Sequence, residues 1–113
     1  MRKRIAILMA VAALAVGVGS AVQAGPTEPP AARQRALLYL LKQDCGSCHG
    51  LTLKGGLGPA LLPEALHDKS DDLLLDTILH GRPGTPMPPW AFSLTAEEAR
   101  WLVQRLRTGE VDG

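Results

Sequence analysis

The chain spends a third of its apolar residues before any fold can begin. Arg2, Lys3 and Arg4 open it, Ile5 to Val16 follow without a polar residue, and Gly17 to Ser20 loosen the run before Val22-Gln23-Ala24 closes it with small or compact side chains. A charged start, an apolar stretch and an A-x-A-like exit make a secretory signal peptide, with cleavage expected after Ala24. The apolar stretch reaches toward bilayer-spanning length only if extended to Val22, and its glycines and small-residue exit favour cleavage over an uncleaved anchor. With no cysteine at the exit and no Arg-Arg pair, neither a lipid anchor nor a twin-arginine route is indicated.

That reading sets the size of what must fold. Removing 24 of 113 residues leaves 89, of which 35, about 39%, are apolar, because 17 of the 52 apolar residues leave with the signal. The formal charge changes from +1 to −2, since three of twelve basic residues go and all eleven carboxylates stay. One domain fits this length; a multidomain enzyme, a long solenoid and a polytopic membrane protein do not. The charge balance lacks the basic face of a nucleic-acid binder, so no nucleic-acid partner is expected. A domain of this size buries only about 60% of its unfolded surface, and exported domains of that kind are commonly completed by disulfides, a metal or a cofactor.

The mature chain reads as all-α. Residues 25–30, Gly-Pro-Thr-Glu-Pro-Pro, form a flexible, solvated leader, and residues 31–113 form the domain. Ala36, Leu37, Leu40 and Leu41 follow helical spacing and predict a helix from Ala31 to about Gln43. Gly50 to Pro63 carry four glycines and two prolines and read as an ordered loop or nothing regular. Ser70 is an N-cap followed by Asp71 and Asp72, where the positive end of a helix dipole favours carboxylates. Leu73, Leu74 and Ile78 give that helix an apolar side, and Gly81 sits where a C-terminal cap belongs. Thr95 with Glu98 makes a capping box for a last helix reaching about Arg107, with Ala99, Leu102, Val103 and Leu106 on one face. Three main helices result, with no strand pattern and no internal repeat.

The chemistry is concentrated in Cys45-Gly46-Ser47-Cys48-His49. C-x-x-C-H is the attachment signature of haem c. Two thiols three positions apart can add to the two vinyl groups of one porphyrin, and the adjacent imidazole then lies beneath the iron. A thioredoxin-like redox pair would follow a strand, and this motif follows a helix. A zinc site needs about four ligands, for which His67 and His80 would have to serve. A structural disulfide would leave His49 without a role.

The opposite iron ligand is read by elimination. Met1 and Met9 fall in the signal, so Met87 is the sole methionine of the mature chain, held between Pro86 and Pro88 in a loop well separated from Cys48. His/Met ligation raises the reduction potential of cytochromes c. His80 is the competing ligand, although at a helix end it can instead complement the dipole; His67, beside Asp68, reads as a surface residue. A ligating histidine usually donates its second ring N–H to a carbonyl, and the Pro59 carbonyl is the candidate acceptor unless Gly58-Pro59 is merely a turn. Arg82 can pair with a haem propionate through its planar fork or stay solvated. Trp90, Phe92 and Trp101 wall the haem or pack between helices. Gly55-Gly56-Leu57-Gly58 lacks the Lys-Ser/Thr ending of a phosphate loop. Lys42 and Lys54 offer cations near the motif, and Asp71, Asp72 and Asp76 an acidic surface elsewhere.

The haem motif, the Gly58-Pro59 loop, a middle helix, a Pro-flanked Met87 and a final helix with Trp101 together resemble class I cytochromes c across essentially the whole mature chain. The resemblance implies an all-α fold of three main helices around one haem c, attached through two thioether bonds, with the first and last helices crossing near it. More narrowly, residues 44–50, 54–61 and 81–90 look like the NirC-type small cytochromes that accompany the periplasmic nitrite reductase carrying haem c and haem d. What this implies is a periplasmic one-electron carrier, not an enzyme. It would be fed by an upstream donor and would deliver electrons to that reductase in denitrification; alternatively it would serve maturation of the reductase's haem d, or supply another periplasmic or membrane oxidoreductase. No stable membrane insertion is expected after signal cleavage. One departure is visible: Leu37 and Leu41 stand where class I members often place a glycine and an aromatic at the helix crossing, so a looser or offset crossing is expected.

Overall fold

In a computed structural model of the protein, residues 28–113 and Gly19 are described; the rest of the expected signal segment and the start of the expected leader lie outside them. Among the described residues there is no strand and no helix long and apolar enough to cross a membrane.

The end of the leader is more engaged than its composition suggests. Pro29 is buried, its carbonyl accepts a bond from Gln34 Nε2 at 2.8 Å, and the Glu28 carboxylate lies 3.4 Å from Arg105. Helix α1 (Ala31–Leu40) starts from Pro30, whose carbonyl accepts from the Gln34 N–H at 2.9 Å. The helix does not stop near Gln43 as its periodicity predicts. It widens into a π turn over Leu41–Cys45 and continues as α2 (Gly46–His49). The chain breaks only at Gly50, where φ is +87°. A π turn preserves helical hydrogen bonding while inserting an extra residue, so Asp44 and Cys45, poor helix formers by propensity, stay within one rod.

Beyond the loop, Pro63 opens a single-turn helix α3 (Pro63–Leu66), its fixed φ suited to the first helical position. Helix α4 (Asp71–His80) is capped by Ser70, whose Oγ accepts from the Leu73 N–H at 3.2 Å, and ends at Gly81. Its inner side consists of Leu74, Ile78 and the buried Leu79, whereas Leu73 is 54% exposed. Helix α5 (Ala96–Thr108) begins with the full Thr95–Glu98 capping box and ends at Gly109 in a left-handed conformation. Its buried face is Ala99, Leu102, Val103 and Leu106, as the spacing predicts.

Leu37 and Leu41 join Leu53, Leu66, Leu94, Leu102 and Leu106 in one buried cluster. The two leucines at the expected helix crossing are thus core residues, Leu37 having no exposed surface. Each buried leucine removes enough apolar surface from water to contribute about 1.5–3 kcal/mol. Arg107 binds the far end of α5 to the rest, donating to Asp71 Oδ1 at 2.5 Å, to the Leu66 carbonyl at 2.9 Å and to the Lys69 carbonyl. The sequence presents Arg107 as a terminal helix cation; its partners lie on α3, α4 and the link between them.

Candidate functional site

Cys45 closes the π turn and Cys48 lies in α2, three residues on, so both side chains share one side of a continuous rod. Both are free thiols and half-buried. Cys45 packs against the leucine cluster. Burial, reinforced by the negative charge of Asp44, pushes its thiol up to about 11. Ser47 turns its hydroxyl back to the Asp44 carbonyl at 2.6 Å, which leaves the two cysteines as the reactive groups of the turn.

The glycine-rich segment after the motif closes onto it. The Gly55 N–H donates to the His49 carbonyl at 2.8 Å and the Gly58 N–H to the Cys48 carbonyl at 2.8 Å. These bonds satisfy carbonyls that the end of a helix leaves without partners. The approach requires bare backbone: a β-carbon on Gly56 would sit 2.9 Å from the Cys48 oxygen, and one on Gly50 2.6 Å from the Gly55 oxygen. His49 lies against this loop. Its Nδ1 is 2.7 Å from the Pro59 carbonyl oxygen, so the proton belongs on Nδ1, the carbonyl being an acceptor, and Nε2 keeps its lone pair.

The second loop is equally fixed. Gly81 allows it to fold back onto the end of α4, where the Trp90 and Ala91 N–H groups donate to the Ile78 and Leu79 carbonyls at 3.0 and 3.1 Å. Within the loop the Arg82 N–H donates to the Met87 carbonyl at 3.2 Å, and the Thr85 Oγ1 accepts from the Met87 N–H at 3.3 Å. Met87 is half-buried, unlike its exposed neighbours Pro86, Pro88 and Pro89.

The other candidates are placed differently. His80 is exposed, with Nδ1 2.9 Å from Asp76 on its own helix, and His67 is exposed with Nδ1 2.6 Å from the Glu64 carbonyl. Among the described residues no three His, Cys, Asp or Glu side chains gather as a metal cluster would require. Arg82 is exposed, and its guanidinium meets no hydrogen-bond partner among the described residues. Trp90 and Trp101 are half-buried against the core, Trp101 lying beneath the Arg105 guanidinium at 4.8 Å. Phe92 neither fills the interior nor packs between helices: it is 81% exposed, stacked on Trp90 at 5.7 Å between centroids. Lys42 pairs with Asp112 at 2.5 Å, lining a surface depression of about 200 Å³ that contains none of the predicted site residues. Sequence reasoning missed the Arg33–Glu98 pair and the second role of Gly81, neither of which leaves a short-range signal.

The residues fit a covalently held haem. Two thiols share one side of a rod, the following imidazole has one nitrogen engaged and the other unshared, and a rigid loop carries a half-buried thioether. Such a donor set on a helical frame defines a class I c-type cytochrome. Residues 32–104 match the family described as cytochrome c oxidase, cbb3-type, subunit III. The chain is 61% identical over 83 residues to cytochrome c55X of Pseudomonas aeruginosa, spanning 74% of this chain and 70% of that one. It is 46% identical over 109 residues to cytochrome c55X of Paracoccus denitrificans, covering 96% and 98% of the two. The solved structure of the c-type cytochrome NirC superposes with a TM-score of 0.73 at 61% identity, over 75% of this chain and all of that one. The dihydro-heme d1 dehydrogenase NirN, solved in complex with DHE, superposes with a TM-score of 0.57 at 42% identity, over 61% of this chain and 15% of its own length. The chain therefore belongs to the c-type cytochromes, as an electron-transfer protein of the NirC kind rather than an enzyme.

Proposed function

We propose that the mature chain is a periplasmic monohaem cytochrome that carries single electrons to the haem c/haem d nitrite reductase of denitrification, having been exported through a signal peptide over residues 1–24. Cys45 and Cys48 would hold one haem c through thioether bonds, and His49 and Met87 would ligate its iron. The bound haem supplies reversible one-electron chemistry. The protein's own residues do the rest. The Pro59 carbonyl accepts the hydrogen bond from His49 Nδ1–H and fixes the imidazole, which makes the ligating nitrogen more basic. The two cysteines would keep the group in place through redox cycling, Met87 would supply the second protein ligand to the iron, and Arg82 would pair with a propionate.

The observation that carries this reading is the 2.7 Å contact between His49 Nδ1 and the Pro59 carbonyl. It sets tautomer and ring direction together, next to two thiols at attachment spacing. The relation to NirC supports the assignment to a nitrite-reductase system.

The test is direct. The protein expressed with haem-attachment machinery is purified, reduced and mixed with the reductase in a stopped-flow instrument. Reoxidation that is rapid and dependent on reductase concentration is expected; a reduced cytochrome that persists overturns the donor role. Carbon monoxide checks the ligand set, since rapid stoichiometric binding at neutral pH to the reduced protein would show an open iron and sink the carrier reading.

Similarity to the dihydro-heme d1 dehydrogenase favours one other role, redox service in maturing haem d. A deletion strain whose purified reductase lacks haem d supports that role, and a fully loaded reductase excludes it.

A further inference from the structure

The rod that carries the cysteines and His49 and the loop that carries Met87 come from separate parts of the sequence, and one polar side chain ties the start of the rod to the chain just beyond that loop. Arg33, in the first turn of α1, reaches 65 residues along the chain to Glu98. Its Nε donates to Oε1 at 2.6 Å and its Nη2 to Oε2 at 3.0 Å. The same Nη2 donates to the Ser93 carbonyl at 3.2 Å. Glu98 meanwhile completes the capping box, accepting from the Thr95 N–H at 3.0 Å while its own N–H donates to Thr95 Oγ1 at 3.1 Å.

Ser93 is six residues past Met87, and little slack lies between. Pro88 and Pro89 fix two backbone torsions, Trp90 is bonded to α4, and the Ser93 and Leu94 N–H groups both donate to the Trp90 carbonyl at 3.0 Å. Leu94 is anchored in the core with 4% of its surface exposed. The upstream end of the Met87 loop is tied to α4 at Gly81. Its downstream end is tied to the rod by the packing of Leu94 among the core leucines and, through polar contacts, by Arg33.

We infer that Arg33 and Glu98 are positioning residues that clamp the downstream end of the Met87 loop to the haem-bearing rod and so hold Met87 on the iron. This rests on Met87 being the axial ligand proposed above. A bidentate guanidinium–carboxylate pair is suited to the role because it fixes direction as well as distance. The Glu98 side chain is 17% exposed, which keeps solvent from competing on one side. The pair holds the Glu98 carboxyl below its ordinary range and the Arg33 guanidinium above its own.

Methionine release can be read without any redox partner. Ferric holoprotein is titrated with imidazole, which binds only when the methionine leaves. The parent, Arg33→Gln, Glu98→Gln and the double variant are compared, with thermal unfolding recorded alongside. Glutamine at residue 98 preserves the capping box, so α5 keeps its start while the charged clamp is lost. Loss of the clamp raises apparent imidazole affinity about fivefold in each single variant. The double variant goes no further than either single one, because both remove one interaction. Parent-like imidazole affinity in both single variants overturns the inference, whatever happens to the unfolding temperature, because a merely structural pair would move stability alone. If instead Met87→Leu binds imidazole no better than the parent, the ligand assignment itself has failed, and that result is separable from failure of the clamp.

Discussion

The backbones of Gly81 and Met87 are packed so closely that a β-carbon on residue 81 would stand 2.6 Å from the Met87 carbonyl oxygen. The same atom would lie 2.9 Å from the Pro88 carbonyl carbon and the Pro89 nitrogen. Gly81 has φ +70° and ψ −169°, a region that side chains essentially never enter. A helix cap and the seat of the Met87 loop are therefore one residue.

Gly81→Ala meets the strain of that conformation and a clash with backbone that cannot rotate away. The expected loss is about 2–4 kcal/mol of stability, which for a domain of this size lowers the melting temperature by roughly 10 °C or more. The weak charge-transfer band that reports the methionine–iron bond should disappear while the haem stays covalently attached. Differential scanning calorimetry and an oxidised spectrum check the two parts, and an unchanged band would show that the loop does not depend on Gly81.

Gly58→Ala tests the other loop. A β-carbon there would lie 2.8 Å from His49 Cε1 and 2.9 Å from Nδ1, so the imidazole has to swing away from the Pro59 carbonyl. Losing that Nδ1–H bond makes the ligating nitrogen a weaker donor, which favours the reduced iron. The midpoint potential is expected to rise by on the order of tens of millivolts, 59 mV being a tenfold change for one electron. Protein-film voltammetry measures it, and a fall in potential would contradict the proposed role of Pro59.

What was legible from the sequence was local. Ser70, Gly81 and the Thr95–Glu98 box announce helix ends within three or four residues of themselves, and each acts as expected. The inner face of α5 was equally plain from its spacing. The apolar spacing that predicts the first helix runs out near Gln43, and the poor helix formers Asp44, Cys45 and Gly46 stay helical through the π turn and packing on the leucine cluster. Helix α3 is one turn long and was hidden among glycines and prolines. Leu73 satisfies the helical period yet stays 54% exposed, since α4 meets the leucine cluster through Leu74 and Ile78. Arg33 with Glu98 and Arg107 with Asp71 join residues 65 and 36 positions apart. No pattern in one sequence brings such pairs together; only the fold does.

Met87→Leu removes the thioether while keeping the apolar volume. The potential should fall by on the order of 100 mV, as axial ligands tune haem over about 0.8 V. His80→Ala should leave it unchanged, because that imidazole is exposed and occupied by Asp76. Paired voltammetry of the two variants decides, and the reverse pattern would make His80 the ligand.

Replacing both Cys45 and Cys48 with serine should abolish covalent haem and leave the chain largely unfolded. The leucine cluster is bordered by Cys45, Leu61, Leu74, Ile78 and Trp90, all of them partly exposed, and a domain of this size has little surplus stability. Far-ultraviolet circular dichroism provides the check. A folded, helical apoprotein would show that the leucines suffice without the prosthetic group.

Acid should weaken the protein through two carboxylates that the fold holds in their charged form. The Arg33 hydrogen bond keeps Glu98 below the usual carboxylate range against the opposing effect of burial, and the Arg107 bond does the same for Asp71, with Gln104 assisting. A group whose folded-state pKa is depressed adds stability that is complete above its unfolded pKa, near 4 for these residues, and is lost as pH falls through the lower folded value. Arg33 and Asp71, one partner of each pair, remain substantially exposed, so each contribution is small and screened by salt. Urea midpoints measured from pH 7 down to pH 2 should therefore fall more steeply for the parent than for Glu98→Gln or Asp71→Asn. The variants should be weaker than the parent at pH 7 and converge with it at the acid end, where the parent's carboxylates are protonated too. A gap that persists undiminished at pH 2 would mean that the substitutions act through packing rather than charge.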